Sequence, residues 1–344
     1  MSDDAEYGRR LRIVIPGGSG NVGRMLADTL QERGHQVTVL TRGPYTANWQ
    51  TVHWDGEHVG PWTETLEGAD ACINLAGRSV NCRYTEANRE AIYESRIQST
   101  RLLNEVMEGL ANPPRVWLNA SATTIYQRAV DANGIDGSAC RRDMELDEAA
   151  EIAGDGGADV SGPRWAERRG FIARLVRDWE VALFRGGALR TRKIALRTGI
   201  VLNPTAGSVF GVLSNLTRAG LGGTAGNGRQ FVSWIHEADY ARAVEFLIAR
   251  EDLEGPFNMT APEPLTNREF MAGLREAWER PNGLPAPAVL IKLGAMLVRT
   301  EPELVLGSCR AVPGRLLEAG FRFEFPEWGE AAADLVRLWR QQIR

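Results

Sequence analysis

Residues 15–23 have the sequence IPGGSGNVG, and this glycine spacing is typical of a turn that holds a phosphate. In a dinucleotide site, Gly17 permits the tight turn, Gly20 lets the backbone approach a diphosphate, and Gly23 allows close packing of helix on strand. Backbone N–H groups at the start of a helix also favour an anion. The alternative is a turn that merely joins a strand to a helix. The residues predicted to bind the cofactor here are Gly17, Gly18, Ser19, Gly20, Asn21, Val22 and Gly23.

The next apolar run ends at Thr41-Arg42, and this ending bears on the choice between NAD and NADP. An NAD site usually has Asp or Glu about 20 residues beyond the glycines, where it binds the ribose 2′-hydroxyl. No acidic residue ends this run, and a guanidinium at Arg42 can pair with a 2′-phosphate instead. The sequence therefore predicts NADP(H), the alternative being that Arg42 is a solvated surface arginine.

Three further strand ends supply candidates for the same site. Asp55 follows VHW, which ends the third apolar run. It is predicted either to accept a hydrogen bond from the adenine amino group or to serve only in a turn. Leu75, Ala76 and Gly77 end the fourth run, where small residues let a cofactor lie across the strand. Ala120, near the end of the fifth run, is assigned to the same site.

Strand and helix patterns alternate through the first half of the chain and are predicted to position these residues. The predicted strands cover 11–16, 35–42, 71–77, 115–122 and 192–202, and the predicted helices cover 22–34, 85–110 and 171–187. This alternation is typical of a doubly wound parallel α/β sheet. We predict a Rossmann-like domain over 1–202, with a surface excursion at 127–170. We predict that residues 203–344 form mainly a smaller substrate-side, C-terminal domain and that 229–260 return to the first domain.

Composition excludes several functional classes. The 344 residues are 43% hydrophobic and 24% charged, with a net charge of −4, which predicts no binding to nucleic acid. The four cysteines show no metal-binding spacing, so we expect reduced thiols and no metal site. No apolar run approaches the about 18 residues of a membrane span, and the polar first residues do not resemble a signal peptide. We therefore expect a cytoplasmic monomer or homodimer that acts on a small molecule.

Several stretches together resemble the extended short-chain dehydrogenases/reductases, in particular their atypical, sugar-nucleotide-epimerase-like branch. They include the glycine turn, VTVLTR, INLAGRSVNCRYTEANREAIYESRIQSTRLL, LRTGIVL, GRQFVSWIHEADYARAV and GPFNMTAPEPLTNREF. The C-terminal VLGSCRAVPGRLLEAGFRFEFPEW resembles the small last domain of that branch. The resemblance spans almost the whole chain and implies a Rossmann-like domain, NADP(H) binding and a substrate cleft beneath the C-terminal part.

Typical members of this family carry Tyr-x-x-x-Lys on the helix beside the nicotinamide, with a serine on the preceding strand. The lysine lowers the tyrosine pKa so that the phenol can exchange a proton with the substrate. The only lysines are Lys193 and Lys292, and the residues four positions before them are Leu189 and Ala288, so no Tyr-x-x-x-Lys occurs here. By register, Ile172 and Val176 stand where the pair would be, whereas Ser121 matches the serine.

Other polar residues are candidates to replace the missing pair. Tyr126 lies just beyond Ser121. Its phenol is predicted either to face the cleft or, as an equal alternative, to be buried with its hydroxyl hydrogen-bonded. Arg96 stands where typical members have a helical asparagine and is predicted to bind an anionic substrate or to pair with an acidic residue. The remaining candidates for the substrate cleft are Arg83, Tyr84, Trp234 and His236, the histidine being more often structural.

Two functions stay open at this point. The first is an NADP-dependent oxidoreductase or epimerase acting on a small polar metabolite, such as a nucleotide sugar. The second is a non-catalytic NADP(H)-binding sensor or assembly protein, which the missing Tyr/Lys pair favours. We favour the enzyme on the sequence, because Ser121 is retained and a sensor has no need of a substrate domain.

Overall fold

The computed structural model describes residues 9–126, 148, 170–287 and 307–342. Its strands are β1 (Arg12–Pro16), β2 (Gln36–Thr41), β3 (Gln50–His53), β4 (Ala71–Asn74), β5 (Val116–Ala122), β6 (Arg192–Thr198), β7 (Ile200–Leu202), β8 (Phe231–Val232), β9 (Trp234–His236), β10 (Gly255–Met259) and β11 (Leu265–Thr266). Its α-helices are α1 (Asn21–Glu32), α2 (Glu86–Gly109), α3 (Phe171–Phe184), α4 (Val209–Arg218), α5 (Glu237–Ala249), α6 (Asn267–Ala277), α7 (Gly314–Glu318) and α8 (Trp328–Gln342). Short 3₁₀ helices cover Pro61–Thr65 and Thr123–Tyr126.

Seven parallel strands form the central sheet in the order β10-β6-β5-β4-β1-β2-β3. The chain winds outward from β1 to β3 and then returns to the other side of β1 with β4. In such a sheet, ligands bind in the crevice at the carboxyl ends of the strands where the order reverses. The predicted Rossmann-like α/β fold is confirmed, and the crevice lies between β1 and β4.

Both faces of the sheet are covered, which explains why its strands are apolar without alternation. Ile13 and Ile15 of β1 pack with Leu26 and Leu30 of α1 on one face. Val14, the residue between them, points to the other face and packs in the cluster that contains Leu103 of α2. The two helical layers therefore hold the strand ends, and the turns that follow them, in fixed positions.

The predicted strand 192–202 is divided in two by Gly199. Its amide donates to the carbonyl of Met259, after which Ile200–Leu202 pairs with β9 instead of β5. A Cβ at Gly199 would lie 2.6 Å from the carbonyl oxygen of Ser233, so a glycine is required where the chain changes partners. An apolar run alone does not reveal such a change of partner.

A second, smaller core forms in the C-terminal region. It contains Phe210 of α4, Phe270 of α6 and Trp328 and Trp339 of α8, together with Trp234. This arrangement confirms the predicted smaller C-terminal region, whereas the predicted domain limits stay a prediction. The excursion predicted at 127–170 lies outside the described residues apart from Glu148 and Gly170.

No helix in the described part of the chain is long and apolar enough to cross a membrane.

Candidate functional site

A cleft of about 270 Å³ opens at the carboxyl ends of β1, β2 and β4. It brings together residues that are far apart in sequence. The predicted cofactor residues that line it are Gly17, Ser19, Gly20, Thr41, Arg42, Asp55, Leu75, Ala76 and Gly77. Nine of the fourteen predicted cofactor residues therefore lie together in one cleft.

The glycine turn between β1 and α1 is held by close backbone contacts. Gly17 has φ +76°, and a Cβ there would lie 2.6 Å from the Cα of Ala76. A Cβ at Gly23 would lie equally close to the Cα of Gly18. At Gly20 the nearest atom to such a Cβ is the Gly17 carbonyl oxygen, at 3.6 Å, so packing leaves room there. Gly20 is exposed to the cleft, as a glycine beneath a diphosphate would be.

Polar contacts join the turn to the end of β2. The Thr41 hydroxyl donates to Ser19 Oγ at 3.1 Å, and the Gly17 amide donates to the carbonyl of Leu40 at 2.9 Å. Arg42 follows immediately and is exposed at the cleft. No acidic residue ends β2, so the feature that predicted NADP(H) is present in the folded protein.

Asp55 is held in a local turn beyond β3. Its carboxylate accepts hydrogen bonds from the amides of Glu57 and His58 and from the His58 ring, at 2.8–2.9 Å. These bonds, led by the one from the Glu57 amide, hold the pKa of Asp55 well below its usual range. Asp55 therefore lines the cleft as a carboxylate fixed in the turn, and its role toward adenine stays a prediction.

The other predicted cofactor residues do not line this cleft. Gly18 is buried against Val39, and Val22 packs on the core around β1. Asn21 Oδ1 accepts a hydrogen bond from Asn203 at 2.7 Å. Ala120 is half-buried within β5.

Several cleft residues were not found by sequence reasoning. They are Leu40, Trp54, Gly56, Glu57, Arg78, Ser95, Gln98 and Ser99. Three of them, Ser95, Gln98 and Ser99, share one face of α2 because they are spaced i, i+3 and i+4. The i, i+3, i+4 spacing of these polar residues was the signal in the sequence that could have identified them.

At the end of β5 the polar side chains face the core. Ser121, Arg197 and Asn258 are register partners in a row across β5, β6 and β10. Glu180 of α3 accepts a hydrogen bond from the Ser121 hydroxyl at 2.6 Å and two from the Arg197 guanidinium at 2.9 Å. Each of these side chains is buried, so the predicted catalytic serine is bonded to an ion pair beneath α3.

Tyr126 belongs to the same buried network. Its hydroxyl accepts a hydrogen bond from Arg197 Nη1 and donates one to Asn258 Oδ1, both at 2.9 Å. Burial raises the pKa of Tyr126 to about 12, although the nearby Arg197 charge opposes the shift. In the structure Tyr126 is therefore buried and hydrogen-bonded, which is the second of the two positions predicted for it.

Arg96 is directed at the loop after β4. Its Nη1 donates to the carbonyls of Arg78 and Ile92 at 2.9 and 3.0 Å, and its guanidinium lies over the Trp179 ring. Burial lowers the pKa of Arg96 to about 10, and the group still carries its charge at neutral pH. In the structure Arg96 therefore binds backbone, whereas the sequence predicted a substrate anion or an acidic residue as its partner.

The loop after β4 also contains Arg83 and Tyr84. Arg83 is exposed and does not line the cleft described above. Tyr84 is buried against Phe171, with ring centroids 5.7 Å apart. A place for these two residues in a substrate cleft stays a prediction.

Trp234 and His236 lie in the core between the sheet and the C-terminal region. Trp234 packs edge-on against Trp328 and donates to the Glu263 carbonyl. His236 caps α5 by accepting the Ala238 amide hydrogen, and burial lowers its pKa to about 4. The structure places both side chains inside the protein, and a place for them in a substrate cleft stays a prediction. No group of three or more residues in the described part of the chain is arranged to hold a metal ion.

Comparison with known proteins shows the family to which this sequence belongs. Residues 13–140 match the NAD dependent epimerase/dehydratase family, and residues 286–335 match a domain of unknown function, DUF1731. Epimerase family protein SDR39U1 of Bos taurus is 30% identical over 332 residues, covering 95% of this chain and all of the relative. An epimerase family protein of Mycobacterium leprae is 33% identical over 329 residues, covering 95% and 96%. The chain belongs to this epimerase family.

Solved structures agree with this assignment. Human epimerase family protein SDR39U1, crystallised with NADPH, superposes with a TM-score of 0.78 at 28% identity, covering 95% of this chain and 99% of that one. UDP-N-acetylglucosamine 4-epimerase from Bacillus cereus superposes with a TM-score of 0.68 at 15% identity, covering 96% of both chains, which shows the shared fold alone. The resemblance to the atypical extended dehydrogenases/reductases is confirmed.

In this epimerase-family chain, packed apolar side chains stand at the two positions where the resemblance implies Tyr and Lys. Val176 is buried in a cluster with Ile125, Tyr126 and Cys309, and Ile172 packs against the same cluster. Neither side chain can exchange a proton. The polar cleft at β1, β2 and β4 therefore stands beside apolar packing at these two positions of α3.

Proposed function

We propose that this protein binds NADP(H) in the cleft at the ends of β1, β2 and β4. The observation that carries the proposal is Arg42, which stands at the end of β2 where an NAD site has an acidic residue. The turn before α1 supplies backbone N–H groups for the diphosphate, with Gly20 open toward it. The crystal structure of human SDR39U1 with NADPH supports the same cofactor here.

The arrangement of the sheet indicates which residues would serve each half of the cofactor. A doubly wound sheet holds a dinucleotide across its reversal point, with one nucleotide on each side. The adenosine half would meet Arg42, Asp55 and the end of β4, which line one cleft, whereas the nicotinamide half would meet the end of β5 and the start of α3. A bound nicotinamide supplies hydride chemistry, and the protein supplies binding and orientation.

Of the two functions left open by the sequence, the geometry supports the non-catalytic NADP(H)-binding protein. Ser121 is bonded to the buried Glu180, Tyr126 is bonded between Arg197 and Asn258, and His236 caps a helix. A proton-transfer group needs access to the substrate and a pKa near the working pH. These three candidates have buried side chains, so a sensor or assembly role fits them better.

An oxidoreductase or epimerase acting on a small polar metabolite, such as a nucleotide sugar, is the second candidate. The observation that favours it is the second core formed by α4, α6 and α8, which gives the chain a substrate-side region. Such an enzyme would draw its proton from a group other than Ser121, Tyr126 or His236.

Cofactor binding is tested by titrating the protein with NADPH and NADH and following nicotinamide fluorescence. We expect tighter binding of NADPH, and Arg42→Gln should weaken NADPH binding about 10- to 100-fold while leaving NADH within twofold. Arg101→Gln, which removes an exposed arginine from α2, is the matched control. Equal affinity of the wild type for both cofactors would contradict the preference for NADP(H).

The choice between the two functions is tested by NADPH consumption. Protein mixed with NADPH and a panel of carbonyl compounds and nucleotide sugars should leave the nicotinamide absorbance unchanged. Turnover above that of a protein-free control would overturn the non-catalytic proposal. Loss of that turnover in Ser121→Ala or Tyr126→Phe would further show that the buried network takes part in the reaction.

A further inference from the structure

Arg78 is a second guanidinium group in the cofactor cleft. It follows Gly77 directly, just beyond β4, and lines the same cleft as Arg42. β2 and β4 lie on opposite sides of β1. The two arginines therefore approach the cleft from opposite walls, with the glycine turn between them.

Three residues of α2 hold Arg78 in place. Its amide donates to Ser95 Oγ at 2.9 Å, and its carbonyl accepts a hydrogen bond from Arg96 Nη1 at 2.9 Å. Its guanidinium Nη2 donates to Asn88 Oδ1 at 2.8 Å. An exposed arginine normally loses considerable side-chain entropy when it binds a ligand. Because Asn88 already orients this guanidinium, much of that entropy is lost before a ligand arrives.

Arg96 and Gly77 form the support beneath Arg78. A Cβ at Gly77 would lie 2.9 Å from Cζ of Arg96, so a glycine lets this guanidinium pass under the loop. The Arg96 guanidinium in turn lies 5.2 Å from the Trp179 ring centroid. Arg96 is thus a positioning residue for Arg78, which explains why a cation is directed at backbone carbonyls.

The charges of the cleft indicate what Arg78 would bind. Asp55 and Glu57 line the cleft together with Arg42, so without Arg78 its two carboxylates would outnumber its one guanidinium group. A phosphate monoester carries about −1.5 to −2 charges at neutral pH and would be disfavoured beside that excess of negative charge. With Arg78 included, the cationic and acidic side chains balance. A guanidinium also offers several N–H donors, and Asn88 takes one of Arg78's.

We propose that Arg78 is a second phosphate-binding arginine, and that Arg42 and Arg78 together hold the ribose 2′-phosphate of NADP(H). The proposal rests on the proposed cofactor function and deepens it. Arg42 supplies the guanidinium that the sequence predicted, and Arg78 supplies the one that a search for residues after β2 misses. Paired guanidinium groups suit a phosphate because each can donate two parallel hydrogen bonds.

The test compares NADPH with NADH in four purified proteins: the wild type, Arg78→Gln, Arg42→Gln and the double variant. Arg78→Gln should weaken NADPH about 10-fold and leave NADH within twofold, because only NADPH carries the 2′-phosphate. The double variant should bind the two cofactors equally. Arg101→Gln should bind both as the wild type does, and circular dichroism confirms that each variant is folded.

Asn88→Ala tests the positioning separately, since it keeps both arginines and frees the Arg78 guanidinium. We expect a loss of about 3-fold for NADPH alone. Equal losses for NADPH and NADH in Arg78→Gln, or no loss for NADPH, would overturn the proposal for Arg78 while leaving cofactor binding intact. If the wild type binds neither cofactor, the proposed function itself fails, and the Arg78 proposal fails with it.

Discussion

At the ends of β1, β2 and β4 the polar side chains face an open cleft, whereas at the β5–α3 end of the crevice they bond to one another inside the protein. Arg42 and Arg78 are exposed at the first end. Glu180 and Arg197 are an almost completely buried ion pair at the second, with side-chain exposures of 9% and 3%. The first arrangement suits a ligand that arrives from solvent, and the second contributes to the packing of α3 on the sheet.

This difference explains how one fold can keep a cofactor site without the usual proton-transfer pair. The turn and the strand ends bind through backbone groups and a few charges, which do not depend on α3. Proton transfer requires particular side chains on α3, and here Ile172 and Val176 contribute to packing instead. Substitutions in the open cleft should therefore change mainly the cofactor affinity, whereas substitutions at the β5–α3 end should change mainly the stability of the protein.

The largest expected effect is the loss of the buried ion pair. Glu180→Gln leaves Arg197 charged and without its carboxylate, which should lower the free energy of unfolding by about 3–5 kcal/mol. Chemical denaturation measures this loss, and NADPH affinity of the folded variant should stay within twofold of the wild type. Glu90→Gln, which removes an exposed carboxylate on α2, should change neither quantity.

Replacing both partners sharpens the result. Glu180→Leu combined with Arg197→Met removes the charges together, so much of the lost stability should return, because an apolar pair leaves no uncompensated buried charge. A Glu180→Gln variant as stable as the wild type, or one with greatly weakened NADPH binding, would contradict the separation of the two ends.

An intermediate effect is expected at the glycine turn, where Gly20 and Gly23 offer a matched pair. Gly20→Ala should weaken NADPH and NADH equally, by about 10-fold, because the new Cβ faces the diphosphate. It should change stability by less than about 1 kcal/mol, since φ at Gly20 is −71° and suits any residue. Gly23→Ala should instead lower stability by about 1–3 kcal/mol, because its Cβ meets the Gly18 backbone at 2.6 Å.

Thermal unfolding and cofactor titration on both variants distinguish these outcomes. A Gly20→Ala variant that binds both cofactors as the wild type does would show that the diphosphate does not lie over this turn. The cleft would then have to hold its ligand in another position.

The sequence predicted the cleft better than it predicted the β5–α3 end. The cleft depends on how strands end, and the residues after β1, β2 and β4 are adjacent in sequence to strong apolar runs. Parallel strands bring their carboxyl ends to one edge, so these residues meet without any knowledge of side-chain packing. Arg78 was missed because its supports, Asn88, Ser95 and Arg96, lie on the following helix.

The buried network could not be predicted in the same way. Ser121 bonds to Glu180, which lies 59 residues away in the sequence, through the packing of α3 on β5. Glu180 in turn bonds to Arg197, which lies 17 residues further along the chain. No local pattern connects these positions. The same limit applies to His236, whose partners include Phe325 in the C-terminal region, at 4.0 Å between ring centroids. Local patterns predict which elements form, whereas the contacts between distant elements decide how a polar side chain is used.

The smallest expected effect concerns Tyr126 and separates a packing tyrosine from a catalytic one. Tyr126→Phe removes a buried hydroxyl that bonds Arg197 and Asn258, which should cost about 1–2 kcal/mol at neutral pH. The folded-state pKa of about 12 exceeds the unfolded value of about 10. The folded state then holds this proton more tightly, so wild-type stability should fall as the pH rises from about 10 to 12.

The difference in unfolding free energy between the wild type and Tyr126→Phe isolates this titration from other groups that ionise at high pH. It should be constant from pH 7 to 9 and should shrink above pH 10, as the wild type loses the advantage of its protonated phenol. A phenol that works in proton transfer would titrate near neutral pH instead. If the difference changes between pH 6 and 8, the hydroxyl is not simply buried, and the β5–α3 end would resemble the open cleft more closely than its contacts indicate.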